Sequence, residues 1–334
     1  MCRVWISTWH GRRWLVNLAV ALGVIALEGE QATASTVRAV YGAISATATP
    51  LWVAEDKGLF KKYGLDVELS HIPTTQAVQT LVAGGIQFTS GSSEIVSAAM
   101  AGGDTAFIAG LSNRFVMYIY GRPGLKSAAD LKGKTIAATQ PDGATAVAAR
   151  LALRKVGLEP EKDFKFAYIK EQPAILSALR EGIVDAAVMS PPTSFQAREI
   201  GLNLVVDVTS LNIPFVHSGI GTQKSYAKAN PEVIRNFLKA LVEAMKICRE
   251  QAGQAQAVIA KYTKTANPKL AEEAYRGFLP SWEQIPYVSR DAVQGLLDAS
   301  QSAKTRNAKV DDFFDNSFLR ELERSGFVDS LYKN

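Results

Sequence analysis

The chain of 334 residues holds two cysteines and three histidines, and that scarcity removes several kinds of chemistry at once. Cys2 lies at the extreme N-terminus and Cys248 sits in the run FLKALVEAMKICRE, so no disulfide framework can be assembled. No H-E-x-x-H or C-x-x-C occurs, and the histidines are scattered at His10, His71 and His217, which leaves no metal-ligand spacing. A Gly-Lys-Thr triplet at 133–135 lacks the glycine that a phosphate loop needs at position 128, where Ala128 stands, and it leads into an apolar strand instead of a helix. Charge is balanced too: 37 lysines and arginines against 32 aspartates and glutamates give a net +5, spread along surface helices such as 224–249. That spread is not the dense basic stripe of a nucleic-acid binder.

Long hydrophobic runs are also missing. The stretch 15–27 has 13 residues, is interrupted by Asn17, and falls short of the roughly 20 that a membrane span requires. It follows Arg3, Arg12 and Arg13 and precedes Ala32-Thr33-Ala34, the pattern of a secretory leader cleaved after Ala34. Arg12-Arg13 loosely matches a twin-arginine signal and equally suits an ordinary basic n-region, so both export routes stand. Cys2 is remote from the cleavage point, which argues against a lipidated anchor. About 300 residues remain, enough for one large domain or two lobes.

What is present is a repeated strand–helix alternation. A strand is expected over 37–44, then the polar loop 45–49, with Thr49 capping a helix that has Pro50 at its first position. That helical region runs to Gly64 with a break at Gly58, followed by a strand at 65–69, a helix at 75–83, and the strand IQFTS running into the loop 91–93. The same order returns from Thr135: the strand TIAA, the loop 139–145, a helix ending at Gly157, the strand FKFAYI, a helix over 173–181, and the apolar run VDAAVM. That last run ends in Ser190-Pro191-Pro192-Thr193, where proline cannot continue a ladder. KKYGL at 61–65 answers RKVGL at 154–158, and LVAGGIQF from Leu81 answers LREGIVDA from Leu179. Two similar α/β lobes with mostly parallel sheets are therefore expected.

In open α/β sheets ligands sit at the carboxyl ends of strands. Each lobe offers two such loops, 45–49 and 91–93 in the first, 139–145 and 190–193 in the second. All four are rich in Ser, Thr, Gly or Pro. Helix N-termini supply free N–H donors and roughly +0.5 of a charge each, which suits a small anionic or polar ligand. Any one of these loops taken singly is simply a good cap. Met189, Phe195, Trp52 and Tyr41 read as packing residues.

The segments PLWVAEDKGLFKKYGLDVEL, ADLKGKTIAA, ALREGIVDAAVMSPP and SFLRELERSGFVD together resemble the solute-binding proteins of ABC importers. The similar branch is that of the nitrate, taurine and alkanesulfonate binders, which also includes proteins similar to thiamine-pyrimidine synthases. The resemblance implies a two-lobed type II periplasmic binding fold with a hinge and an interlobe cleft. Residues 35–121 and 222–334 would form lobe I and 122–221 lobe II, with crossovers near 118–124 (GRPG) and 207–222 (NIPFVHSG). Family ligand positions carry over to Ser45, Thr47 and Thr49, to Ser92 and Ser93, to Gly143, Ala144 and Thr145, and to Ser190, Pro191 and Thr193. Asn113 and Arg114, at the end of the strand TAFIAGL, are further candidates, because a guanidinium takes a carboxylate or sulfonate in two parallel bonds. His217 lies at the return crossover, where a histidine either touches ligand or is merely hydrogen-bonded.

The function so implied is an exported, periplasmic, monomeric receptor that captures a sulfonate, nitrate or carboxylate and delivers it to permease subunits. It would need no cofactor, metal or nucleic acid and would not be an enzyme. The alternative is a pyrimidine-synthase-like enzyme or a binder of a pyrimidine precursor, although the cysteine-rich motif of those relatives is lacking here.

Overall fold

The structure, a computed structural model, describes residues 36–300, 305 and 307–333. The expected leader and its cleavage after Ala34 lie outside the described residues. Two five-stranded sheets organise the chain. In the first, β1 (Val37–Tyr41), β2 (Val67–His71) and β3 (Phe88–Gly91) run parallel, and α1 (Thr49–Asp56), α2 (Leu59–Lys62) and α3 (Thr74–Val82) lie between them in sequence. α4 (Ser93–Met100) then leads to β4 (Thr105–Arg114). The second sheet repeats the plan with β6 (Lys134–Ala138), β7 (Phe164–Tyr168) and β8 (Ala186–Met189), joined by α5 (Ala144–Lys155) and α6 (Gln172–Arg180) and followed by α7 (Thr193–Glu199).

Each sheet contains one antiparallel strand, and it is the strand the chain enters on arriving from the other lobe. β5 (Tyr118–Gly121) inserts between β8 and β9 (Asn203–Asp207), while β10 (Pro214–Gln223) inserts between β3 and β4. The expected mostly parallel sheets are therefore present, with one reversed strand in each. Sheet membership places the two chain passages at 115–117 and 208–213. The segment GRPG follows β5 inside lobe II and is not at a passage, and most of NIPFVHSG is β10 itself. The first passage is buried at Phe115, Val116 and Met117, and the second is held by buried Val208 and Ile213 with Ser210 and Asn212 exposed between them, while Phe115 stacks on Phe215 of β10 at 4.2 Å.

Local chemistry accounts for the repeat. Gly64 and Gly157 take left-handed conformations (φ +76° and +84°), and the next residues, Leu65 and Leu158, return N–H bonds to Phe60 and Leu153. This is the six-to-one bond that ends a helix where only glycine is unstrained. β8 is buried along its whole length, as a strand covered on both faces must be, and it stops at Ser190 before a cis Pro191–Pro192 bond. β1 ends at Tyr41, three residues earlier than the sequence suggests, which frees Gly42-Ala43-Ile44 as loop.

The C-terminal helices pack on lobe I. The 20-residue α8 (Pro231–Glu250) buries Ile234, Phe237, Leu241, Met245 and Cys248 at helical spacing, and Phe237 stacks on both Phe60 of α2 and Phe88 of β3. Trp52 is fully buried against Tyr262, and Met189 and Phe195 are likewise core. α9 (Pro268–Phe278) leans across to lobe II, where Glu273 pairs with Arg198 and Asn267, at its cap, donates to Glu199 at 2.7 Å.

Candidate functional site

A cavity of about 490 Å³ lies between the two sheets, at the carboxyl ends of their parallel strands. Its wall takes three loops from each lobe. Lobe I supplies 42–47 after β1, 73–76 after β2 and 90–94 after β3; lobe II supplies 139–145 after β6, 168–172 after β7 and Ser190 after β8. Met117 of the first passage and His217 and Ser218 of β10 close it.

The lobes touch around this cavity. Ser45 Oγ and the Ala46 N–H both donate to the Pro191 carbonyl, at 3.2 and 3.1 Å. Thr75 meets Gln140, Gln140 in turn donates to Glu94, and Ser93 donates to the Asp142 carbonyl, all across the cleft. His71 Nε2 stands 3.9 Å from Glu171 Oε1. These bonds describe a closed cleft.

Four helices point their N-termini at the cavity. α4 and α6 carry their own carboxylates there, Glu94 in the first turn and Glu171 at the cap, whereas α3 and α5 have no acidic residue in the first turn. Helix-end positive potential without a first-turn carboxylate is therefore found at Thr74–Thr75 and Ala144–Thr145. Lys170 is the cation in the wall among the described residues. Burial raises the Glu94 carboxyl above the ordinary carboxylate range, against hydrogen bonds from Ser92 and Gln140. Burial also raises Glu171, with His71 acting in the opposite direction. His217 is pushed down to about 3 by burial, so its ring is neutral at any working pH.

Of the residues expected from sequence, Thr47, Ser92, Ala144, Thr145, Ser190 and His217 line the cavity. Ser45, Pro191, Ser93 and Gly143 stand just behind it. The first three form interlobe bonds, and Gly143 caps α5 where a Cβ would come within 2.6 Å of Gln140 Cγ. Thr193 is buried in the first turn of α7. Thr49 is not a helix cap: Ser45 caps a short 3₁₀ turn at Ala46–Ala48, and Thr49 follows inside α1 with its hydroxyl donating to the Ala46 carbonyl at 2.7 Å. Arg114 turns away and donates to the Pro280 carbonyl. Asn113 clamps the C-terminal segment through the Tyr287 carbonyl and the Ser289 N–H, at 2.8 and 3.0 Å.

The sequence reading omitted the third loop of each lobe. HIPTT and KEQP, at 71–75 and 170–173, are the same kind of strand-to-helix junction as the four chosen, each with a proline entering the helix, and that pattern would have found Thr74, Thr75, Glu171 and Gln172. Arg150 had no such signal. It lies buried in α5 and braces the wall from behind, bonding the Pro141 carbonyl at 2.7 Å and Glu161 at 3.0 Å, and lying over the Phe166 ring.

A family model described as the NMT1-like family matches residues 32–262. The chain belongs to the NMT1-like family. This NMT1-like chain is 30% identical over 203 residues to a Brachyspira hyodysenteriae protein described as an ABC transporter periplasmic binding protein, a match covering 58% of this chain and 57% of that relative's length. Among solved structures it resembles the periplasmic nitrate-binding protein NrtA from Synechocystis PCC 6803, with TM-score 0.71, 18% identity, and 88% and 89% of the two chains covered. It also resembles the alkanesulfonate-binding protein SsuA from Xanthomonas axonopodis pv. citri bound to MOPS, with TM-score 0.68, 18% identity, and 82% and 95% covered. The fold of the NMT1-like chain is thus the two-lobed fold of periplasmic binding proteins. Among the described residues no helix is long and apolar enough to cross a membrane.

Proposed function

We propose that the chain is the exported solute-binding component of an ABC importer. It captures a small solute with an oxyanion head, of the sulfonate, carboxylate or nitrate type, and hands it unchanged to permease subunits outside the cytoplasmic membrane. The observation that carries this reading is the closed interlobe cavity faced by the N-termini of α3 and α5, neither of which has a carboxylate in its first turn. Backbone N–H groups there supply donors to an anion, while the Thr74 and Thr75 hydroxyls donate to the Gly42 carbonyl and to Gln140. The names of the Brachyspira, NrtA and SsuA proteins support the transport role and the solute class.

Geometry argues against hydrolytic or acyl-transfer chemistry at the most reactive-looking pair, Ser190 and His217. The Val116 N–H donates to His217 Nδ1 at 3.2 Å, so the neutral ring carries its proton on Nε2, the atom facing Ser190. A ring so protonated cannot take the serine proton as a general base. A second reading, a neutral pyrimidine precursor as solute, is favoured by Glu171, whose carboxylate in the wall suits ligand N–H groups.

Thermal unfolding against sulfonates, nitrate, carboxylates and aminopyrimidines tests both readings. A solute at 100 times its Kd adds about 2.7 kcal/mol and raises the midpoint by several degrees. A shift with sulfonate, carboxylate or nitrate supports the first reading, a shift with aminopyrimidines alone supports the second, and no shift with any of them contradicts both.

A further inference from the structure

Ser190, Gln172 and His217 meet at one corner of the cavity and are all buried. The Ser190 N–H donates to Gln172 Oε1 at 2.8 Å, which fixes the amide so that its Nε2 faces the Ser190 hydroxyl at 3.3 Å. His217 Nε2 approaches the same hydroxyl at 3.5 Å, and the Val116 N–H on Nδ1 places the ring's proton on Nε2. The Ser190 oxygen therefore faces two N–H donors. A serine hydroxyl has two lone pairs and one proton, so with both lone pairs engaged the proton is the valence left for the cavity.

We propose that Gln172 and His217 are positioning residues that orient the Ser190 hydroxyl as an obligate donor. This corner takes an acceptor atom of the solute, such as a carboxylate, sulfonate or carbonyl oxygen or an unprotonated ring nitrogen. It rejects an N–H or O–H there, because a donor facing a donor is left buried and unpaired. His217 belongs to β10 of lobe I, whereas Ser190 and Gln172 belong to lobe II. The donor is therefore fully set in the closed form, which couples readout of this atom to closure. The inference rests on the solute-binding reading of the cavity.

Two measurements on the full chain test it. Nitrogen-15 spectra of the histidines should show His217 with Nδ1 unprotonated and Nε2 protonated from about pH 5 to 8; a proton on Nδ1 overturns the proposal without reference to any solute. The second arm titrates methanesulfonate into wild type, Gln172→Glu, Ser190→Ala and the double variant. Gln172→Glu exchanges a donor for an acceptor of the same size, to which the Ser190 proton turns. It should raise Kd by more than the about tenfold of Ser190→Ala, because it also places a negative charge beside the anion, and the double variant should lose no more than Gln172→Glu alone. Gln172→Leu, which removes the donor without adding an acceptor, should lose less than Gln172→Glu and guards against a misfolded glutamate variant. An unchanged Kd in Gln172→Glu, or the same loss with and without Ser190, overturns the proposal. A wild type that shows the expected tautomer yet ignores methanesulfonate supports the positioning role and contradicts the sulfonate reading instead.

Discussion

His217 ties the site to acid stability. Its folded pKa of about 3 lies below the ordinary value near 6.5, so the unfolded chain binds the proton first as pH falls. The stability contributed by the neutral, buried ring is fully present above about pH 6.5 and drains away as pH falls toward 3, by a few kcal/mol in all. Denaturant unfolding between pH 7 and 4 should show that loss, and His217→Gln should flatten it; equal slopes in both proteins would mean other groups carry the acid lability. Arg114 makes the opposite point. It is the cation the sequence offers near a strand end, but the structure commits it to the Pro280 carbonyl. Arg114→Ala should leave solute Kd within about twofold, the size of effect typical of a remote side chain, and a large loss on titration would return Arg114 to the site. Residue type and strand end were legible in the sequence for Thr47, Ser92, Thr145 and Ser190. The direction of the Arg114 side chain was not, because it is set by a partner 166 residues away.

At the scale of elements, glycine-terminated helices and strand ends rich in small polar residues could be read from local chemistry, since a left-handed cap and a proline at a helix start are decided within a few residues. Gly157 is a direct check. With φ at +84° and no neighbour near the added methyl, Gly157→Ala should cost about 1 kcal/mol through backbone strain alone, measured by urea unfolding. What could not be read locally is the reversed strand in each sheet and the place of the passages between lobes, because β5 and β10 obtain their partners from segments distant in sequence. The Arg150 brace behind the 139–145 loop is of the same kind. Arg150→Met should keep most of the packing and lose the bonds to Pro141 and Glu161. The expected result is weaker solute binding, by several-fold, with amide exchange in 139–145 accelerated; unchanged exchange would deny the brace.

For the whole molecule, closure and proton uptake are linked through Glu94. The closed cleft buries this carboxyl against Gln140 of the other lobe and raises its pKa. Opening the cleft would return it to water and relieve the burial that raises it. The closed form therefore binds the proton more tightly, so solute affinity should rise as pH falls from the raised value toward the ordinary carboxylate range and level off below it. Glu94→Gln should abolish that rise in calorimetric Kd values taken from pH 7.5 to 4.5, and a rise that persists would assign it to Glu171 or another group.

The two-lobed plan itself follows from the repeat of KKYGL by RKVGL and from matching strand ends, whereas the polarity of the cavity depends on which side chains each lobe brings to the other. The measurement that bears most directly on capture without chemistry is calorimetric titration of the full chain with the compound that stabilises it most, followed by recovery of that compound. One molecule bound per chain and returned unaltered is the expected result. A compound consumed or converted, or one bound with no fixed stoichiometry, would contradict the account.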